Sequence, residues 1–161
     1  MAVPATTARA TPEGTRIGDG YQTLIAFAAD PNISFWEKTV TPPGMDGGDA
    51  VDNTTMHNVT YRTFSSRALV TMTPASTTVA FDPLCYNSII AIINVEGAIT
   101  VHFPNADTLD FYGFLKSFIS GPFVDGTQPE ATVEIVPTNW DPVNNVEAAP
   151  NYISASGTDQ V

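Results

Sequence analysis

Two histidines, His57 and His102, are the side chains of this sequence whose ordinary pKa lies closest to neutrality, and acid–base or nucleophilic catalysis commonly starts from such a base. Neither has the company that chemistry needs. His57 stands in DNTTMHNVT, a turn-like stretch, and His102 falls on the Thr100 face of an alternating segment, so they read as a turn residue and a surface residue. Cys85, the single cysteine, follows Leu84 in an apolar run and reads as a small core residue. Alone it forms no intrachain disulfide and closes no thiolate metal site. Asp46, Asp49, Asp52 and Asn53 cluster like calcium ligands, but the EF-hand spacing, its central glycine and its closing glutamate are missing. The glycines of PPGMDGGD sit among carboxylates with no lysine to hold a phosphate. Asp110, Asp125, Glu130 and Glu134 show no spacing that pairs them, and Asn-x-Ser/Thr triplets at Asn32, Asn53 and Asn58 have no secretion signal to give them meaning. With no ordered nucleophile, base and orienting group, the chain reads as a non-enzyme without cofactor or metal.

The charge balance is more informative. In 161 residues there are 17 acids against 6 bases, a formal net charge of −11, and after Arg67 the only base is Lys116 against ten acids. Such a surface repels polyanions, which excludes a free-standing nucleic-acid binder and a basic membrane anchor. The longest clean apolar run, 89–93, is far too short to span a bilayer, and the first residues lack the apolar stretch of a secretory signal, so a soluble protein made in a cytosol is expected.

Hydrophobic content of 43% fills one core, and the pattern that must build it is mostly period two. Strands are expected over 21–27, 33–40, 61–73, 77–81, 99–103, 108–118 and 131–135, separated by Pro, Gly and Asn turns. In the 108–118 strand the apolar face switches near Gly113, where a bulge or bend is expected. At Asp82-Pro83 the period changes: Asp82 caps, Pro83 takes the first helical position, Tyr86, Ile89, Ile90 and Ile93 recur at helical spacing, and Gly97 ends the helix. Residues 41–60 hold three glycines and three acids with no base and no apolar period, a long acidic loop of a length that calls for a functional reason or disorder. Residues 1–20 and 139–161 read as extended arms around a domain at 21–138. The architecture expected is mainly β, an antiparallel β-sandwich of about seven strands with one flanking α-helix.

Four stretches in this order resemble the major tail tube protein of long-tailed, siphovirus-type bacteriophages. They are Gly18-Asp19-Gly20 leading into a strand; the acidic loop ending Asp52-Asn53-Thr54-Thr55-Met56, similar to that family's Asp-x-Thr-Thr element; Phe81-Asp82-Pro83 with its helix, AITVHFP and the Leu109, Phe111, Gly113, Phe114, Phe118 series; and VEIVPTN at 133–139. The resemblance implies a tail-tube-like fold whose copies form hexameric rings stacked into the tube through which DNA is ejected. It implies localisation in the virion tail after assembly in the host bacterial cytoplasm. The partners implied are further copies, other tail proteins (tape measure, terminator, baseplate or distal tail protein) and double-stranded DNA in transient, non-specific passage, with no membrane. Within that frame Asp46, Asp49, Asp52, Asn53, Thr54, Thr55 and Met56 form an inter-ring loop, disordered in the monomer and ordering against the adjacent ring, and acids lining the channel keep DNA from adhering. The carboxy-terminal arm has no matched counterpart.

Two other readings compete. A tail terminator, head–tail connector or capsid decoration protein needs a closed ring or discrete oligomer instead of an open stack. A carbohydrate-binding module is suggested by Trp36, Trp140, Tyr61 and Tyr112, whose rings could stack on sugars.

Overall fold

The computed structural model describes residues 23–33, 35–104 and 106–154. The arm expected at 1–20 and the end of the one expected at 139–161 lie outside the described residues. In chain order the elements are β1 (Leu24–Phe27), β2 (Trp36–Thr41), β3 (Met45–Asp46), β4 (Val51–Asp52), β5 (Phe64–Ser65), β6 (Thr71–Met72), β7 (Ala75–Ala80), a 3-10 turn (Pro83–Cys85) running into α1 (Tyr86–Ile92), β8 (Gly97–His102), β9 (Thr108–Ser120), β10 (Glu130–Pro137), β11 (Trp140–Asp141), β12 (Val146–Glu147) and β13 (Asn151–Ile153).

The protein is mainly β, with one short helix on an antiparallel sheet, and alternation decides which side chains enter the core. Ala75, Thr77 and Val79 on β7, Ile99 and Val101 on β8, and Ala131, Val133 and Ile135 on β10 are buried, and the residues between them are not. Each of the Val and Ile side chains among them contributes about 1.5–3 kcal/mol on leaving water. Seven strands form one continuous sheet in the order β1-β8-β9-β10-β7-β2, with β13 added to β9. The sheet curls around its core until its outermost strands nearly meet. The Ile25 N–H of β1 donates to the Glu37 carboxylate of β2 at 3.1 Å, and Phe27 and Phe35 pack edge to face at 5.8 Å beside that seam.

β9 makes the curl possible. Residues 108–113 pair with β8 on one side, while 113–120 pair with β10 on the other. Gly113 pairs both ways, opposite Gly97 and opposite Pro137, and an added Cβ there would lie 2.6 Å from the Val136 carbonyl oxygen. The expected switch of apolar face falls three residues later. Leu115 opposes Ile135 and Ser117 opposes Glu134, so the bulge sits at Lys116 and returns Phe118 to the core side, while Gly113 serves the close crossing of strands.

The helix is shorter than expected. Asp82 accepts from Leu84 N at 2.9 Å and Pro83 opens the turn, as read from the sequence, but α1 ends at Ile92. Asn94 adopts φ 62°, its N–H donates to the Leu115 carbonyl at 2.9 Å, and Ile93 bridges Leu115, so pairing with β9 takes the chain before Gly97 is reached. Gly97 instead opens β8. Ile89 and Ile92 face the sheet.

Residues 139–154 are folded onto the body, where an extended arm was expected. β11 pairs β12, and Asp141 accepts from Val143 N, Asn144 N and the Asn144 side chain. β13 then continues along β9, pairing Asn151–Ile153 with Asp110–Thr108, with the Tyr152 hydroxyl bonded to the buried Asp107 carboxylate and its ring 6.2 Å from Phe103. The Asn and Asp residues that read as solvated chain are the turn formers of this return.

Candidate functional site

Residues 42–74, between β2 and β7, form a hairpin arm in place of the expected structureless loop and following strand. Its legs pair twice, β3 with β6 and β4 with β5, and Asn53 N donates to the Thr63 carbonyl beyond the second ladder. The polar residues that suggested disorder carry the turns. Asp46 accepts from Gly48 N, Asp52 from Thr54 N, and the Asn58 side chain accepts from Thr55 N and donates to the Tyr61 carbonyl. Gly48, at φ 72°, lies against Arg67, whose guanidinium donates to the Asp49 carbonyl at 2.9 Å. The bond with Thr54 holds the Asp52 carboxyl below its usual range.

All seven residues of the suggested inter-ring loop, Asp46, Asp49, Asp52, Asn53, Thr54, Thr55 and Met56, thus lie on this arm, the first three on the outgoing leg and the rest at the tip. Within residues 42–74 only Met72 is buried. At the tip Met56 is 100% exposed and Val59 98%, and Tyr61, Phe64 and Leu69 are also exposed. A hairpin that leaves its large apolar side chains in water gains little from its own burial and is suited to a partner that covers them. Val59 carried no signal in the sequence, and Tyr61, Phe64 and Leu69 were read into a strand over 61–73 instead of an exposed apolar surface.

The remaining reactive groups do not converge. His57 is exposed at the arm tip, and His102 sits on β8 opposite Leu24 and Thr108. The Cys85 thiol is pushed up by burial and then by the Asp82 carboxylate at 3.7 Å, which makes it a poor nucleophile. Asp110 is bonded to Thr100, Glu130 is paired with Lys38, and Glu134 with Lys116. No group of three or more His, Cys, Asp or Glu that could hold a metal is found among the described residues, and no helix there is long and apolar enough to cross a membrane. Trp36, Tyr61, Tyr112 and Trp140 lie on β2, the arm tip, β9 and β11.

No family model matches the chain, and no curated protein matches it. Solved structures do. A chain in the virion of a native gene transfer agent particle is 10% identical, with a TM-score of 0.60 over 85% of this chain and 99% of that one. A chain in the tail of the empty gene transfer agent particle, refined helically with C6 symmetry, gives 0.59 at 10% identity over the same shares. A chain of the six-fold symmetrised anti-feeding prophage baseplate gives 0.56 at 9% identity, over 82% and 91%. At such identities the likeness is one of fold, with chains of gene transfer agent particles and of a prophage baseplate.

Proposed function

We propose that this chain is a non-catalytic structural subunit of a phage-type tail, whose copies form rings that stack into the tail tube. The observation that carries the reading is the near end-to-end match to a tail chain in a particle of C6 symmetry, 99% of that chain. The exposed apolar arm supports it, because exposed apolar side chains of this kind mark a surface that a neighbour covers. In this reading the Asp46–Met56 region lies between rings, further copies and other tail components are the partners, and the virion tail is the site of action. The net charge of −11 supports a wall that DNA passes without sticking, since carboxylates repel phosphates within a Debye length of about 8 Å at physiological salt.

The likeness to a baseplate chain favours one second reading, a ring that occurs once at a tail end. Negative-stain electron microscopy across concentration, with light scattering for mass, separates the two. Hollow striated tubes or stacking rings are expected. A closed ring that never stacks at any concentration moves the assignment to a tail-end component such as a terminator, connector or baseplate ring, and a monomer throughout, even with tube fragments as seeds, removes the tube reading.

A further inference from the structure

β9 is the longest strand and a strongly strand-prone run: TLDFYGFLKSFIS holds four aromatic rings, one acid, one base and no proline. Over 108–113 one of its edges is filled by β8. The other edge belongs to β10 only from 113 to 120, because β10 ends at Pro137 opposite Gly113. Left bare, the stretch 108–112 would present a row of unpaired backbone groups, which is a template for strand addition.

Residues 138–154 cover that stretch. The Thr138 N–H donates to the Tyr112 carbonyl at 2.9 Å, and β13 pairs Asn151–Ile153 with Asp110–Thr108. Burial holds this segment only weakly: Val143 is 83% exposed, Val146, Tyr152 and Ile153 are about half exposed, and none of the core cluster lies on it. Two polar latches hold it instead. Asp107 and Asp141 are the buried carboxylates among the described residues, and each meets a tyrosine hydroxyl across the boundary between segment and body. Tyr152 of β13 bonds Asp107, and Tyr112 of β9 bonds Asp141. A buried carboxylate stripped of such a donor is costly, so both latches favour the closed arrangement. Asn151 also sets a neutral amide opposite Asp110, the one acid of the edge. With three residues and Pro150 just before it, β13 is a poor template in its turn.

We infer that residues 138–154 are an intramolecular strap that keeps the 108–112 edge of β9 from adding a strand of a second copy. The strap prevents an association, where the arm is suited to making one, and its role does not depend on the tail reading. Because the core cluster lies wholly outside the strap, lifting it leaves the body folded.

Hydrogen exchange of the native chain reads the strap directly. Peptides covering 108–112 and 150–154 are expected to exchange together, ahead of 114–119 and 131–136. Tyr112→Phe with Tyr152→Phe is expected to speed that exchange about fivefold for each hydroxyl removed. Exchange of all four stretches in one global step overturns the inference. A second measurement locks the strap. In a chain carrying Cys85→Ser, Thr108→Cys and Ile153→Cys the two new thiols stand opposite each other in register. Combined with the two Tyr→Phe changes, the reduced chain is expected to gain thioflavin T fluorescence above that of the native chain as concentration rises. The oxidised chain is expected to keep native circular dichroism and lose that fluorescence. Equal dye binding in the two states overturns the inference, and 108–153 links between copies overturn it in favour of a strap exchanged between them.

Discussion

β2 and β7 behave differently at their two ends, although the same pair of strands runs through both. Within the sheet they pair from Trp36 to Thr41 against Ala80 to Ser76, with Val79 and Thr77 sealed in the core. Past Thr41 their continuations exchange only two dipeptide ladders, held by Asp, Asn and Thr side chains that bond to nearby backbone. The body is stabilised by burial and the arm by turn chemistry, so mutations should act on different observables: in the body on folding, in the arm on association.

Replacing residues 45–72 by a short Gly/Ser turn gives the largest expected effect and the sharpest separation. Tubes should be lost altogether, while the body stays folded with a lower melting temperature, because the exchange also removes the buried Met72 side chain; restoring a Met beside the turn should recover most of that loss without restoring tubes, and a molten product in both would show that the arm supports the body. Next comes Ile135→Ala, at a side chain with 0% exposure, expected to cost about 2–5 kcal/mol in urea unfolding through the cavity it leaves. Smaller is Gly113→Ala, whose new Cβ would meet the Val136 carbonyl at 2.6 Å, costing about 1–3 kcal/mol as β9 and β10 are forced apart. Smallest is the pH response at the seam of the curled sheet. Burial raises the Glu37 carboxyl above its usual range, against the lowering effect of the Ile25 N–H. The folded state therefore holds that proton more tightly than the unfolded chain, and the contribution is greatest below the ordinary glutamate pKa and declines as pH rises through the folded value. Glu37→Gln, which keeps an acceptor for Ile25, should flatten that decline in stability measured from pH 4 to 7; an unaltered profile would place the titration elsewhere.

The body was legible because alternation is a strong signal where one face of a strand is buried: the strands expected over 131–135 and 99–103 are present, and their alternating apolar residues Ala131, Val133 and Ile135, and Ile99 and Val101, are the buried ones. The helix start was legible because Asp82 and Pro83 act locally, whereas its end depends on Leu115, more than twenty residues away. Pairing in the arm and the return of β13 were not legible, because each ladder rests on two or three residues, too few to carry a period; the alternation over 61–73 read as one strand where the structure has two separate dipeptides, β5 and β6. The stretch 41–60 was legible as a segment apart from the sheet, through its three acids, three glycines and missing apolar period. Its form was not, since Asn and Asp that build a hairpin tip have the same composition as a chain that builds nothing.

At its root the arm joins β2 through Pro42, Pro43 and Gly44 and β7 through Thr73 and Pro74, with the Thr73 N–H donating to the Gly44 carbonyl at 2.9 Å, so its direction is set by this short junction together with the local twist of the sheet it leaves. A leg of some fifteen residues spans at most about 50 Å when extended, at roughly 3.3 Å per residue. Over such a lever a change of ten degrees in twist, small against the roughly 20–25° between ordinary neighbouring strands, carries the tip several ångströms. The packing of Thr77 and Val79 therefore aims the tip as well as stabilising the core, and a conservative exchange at either could misdirect assembly without unfolding anything.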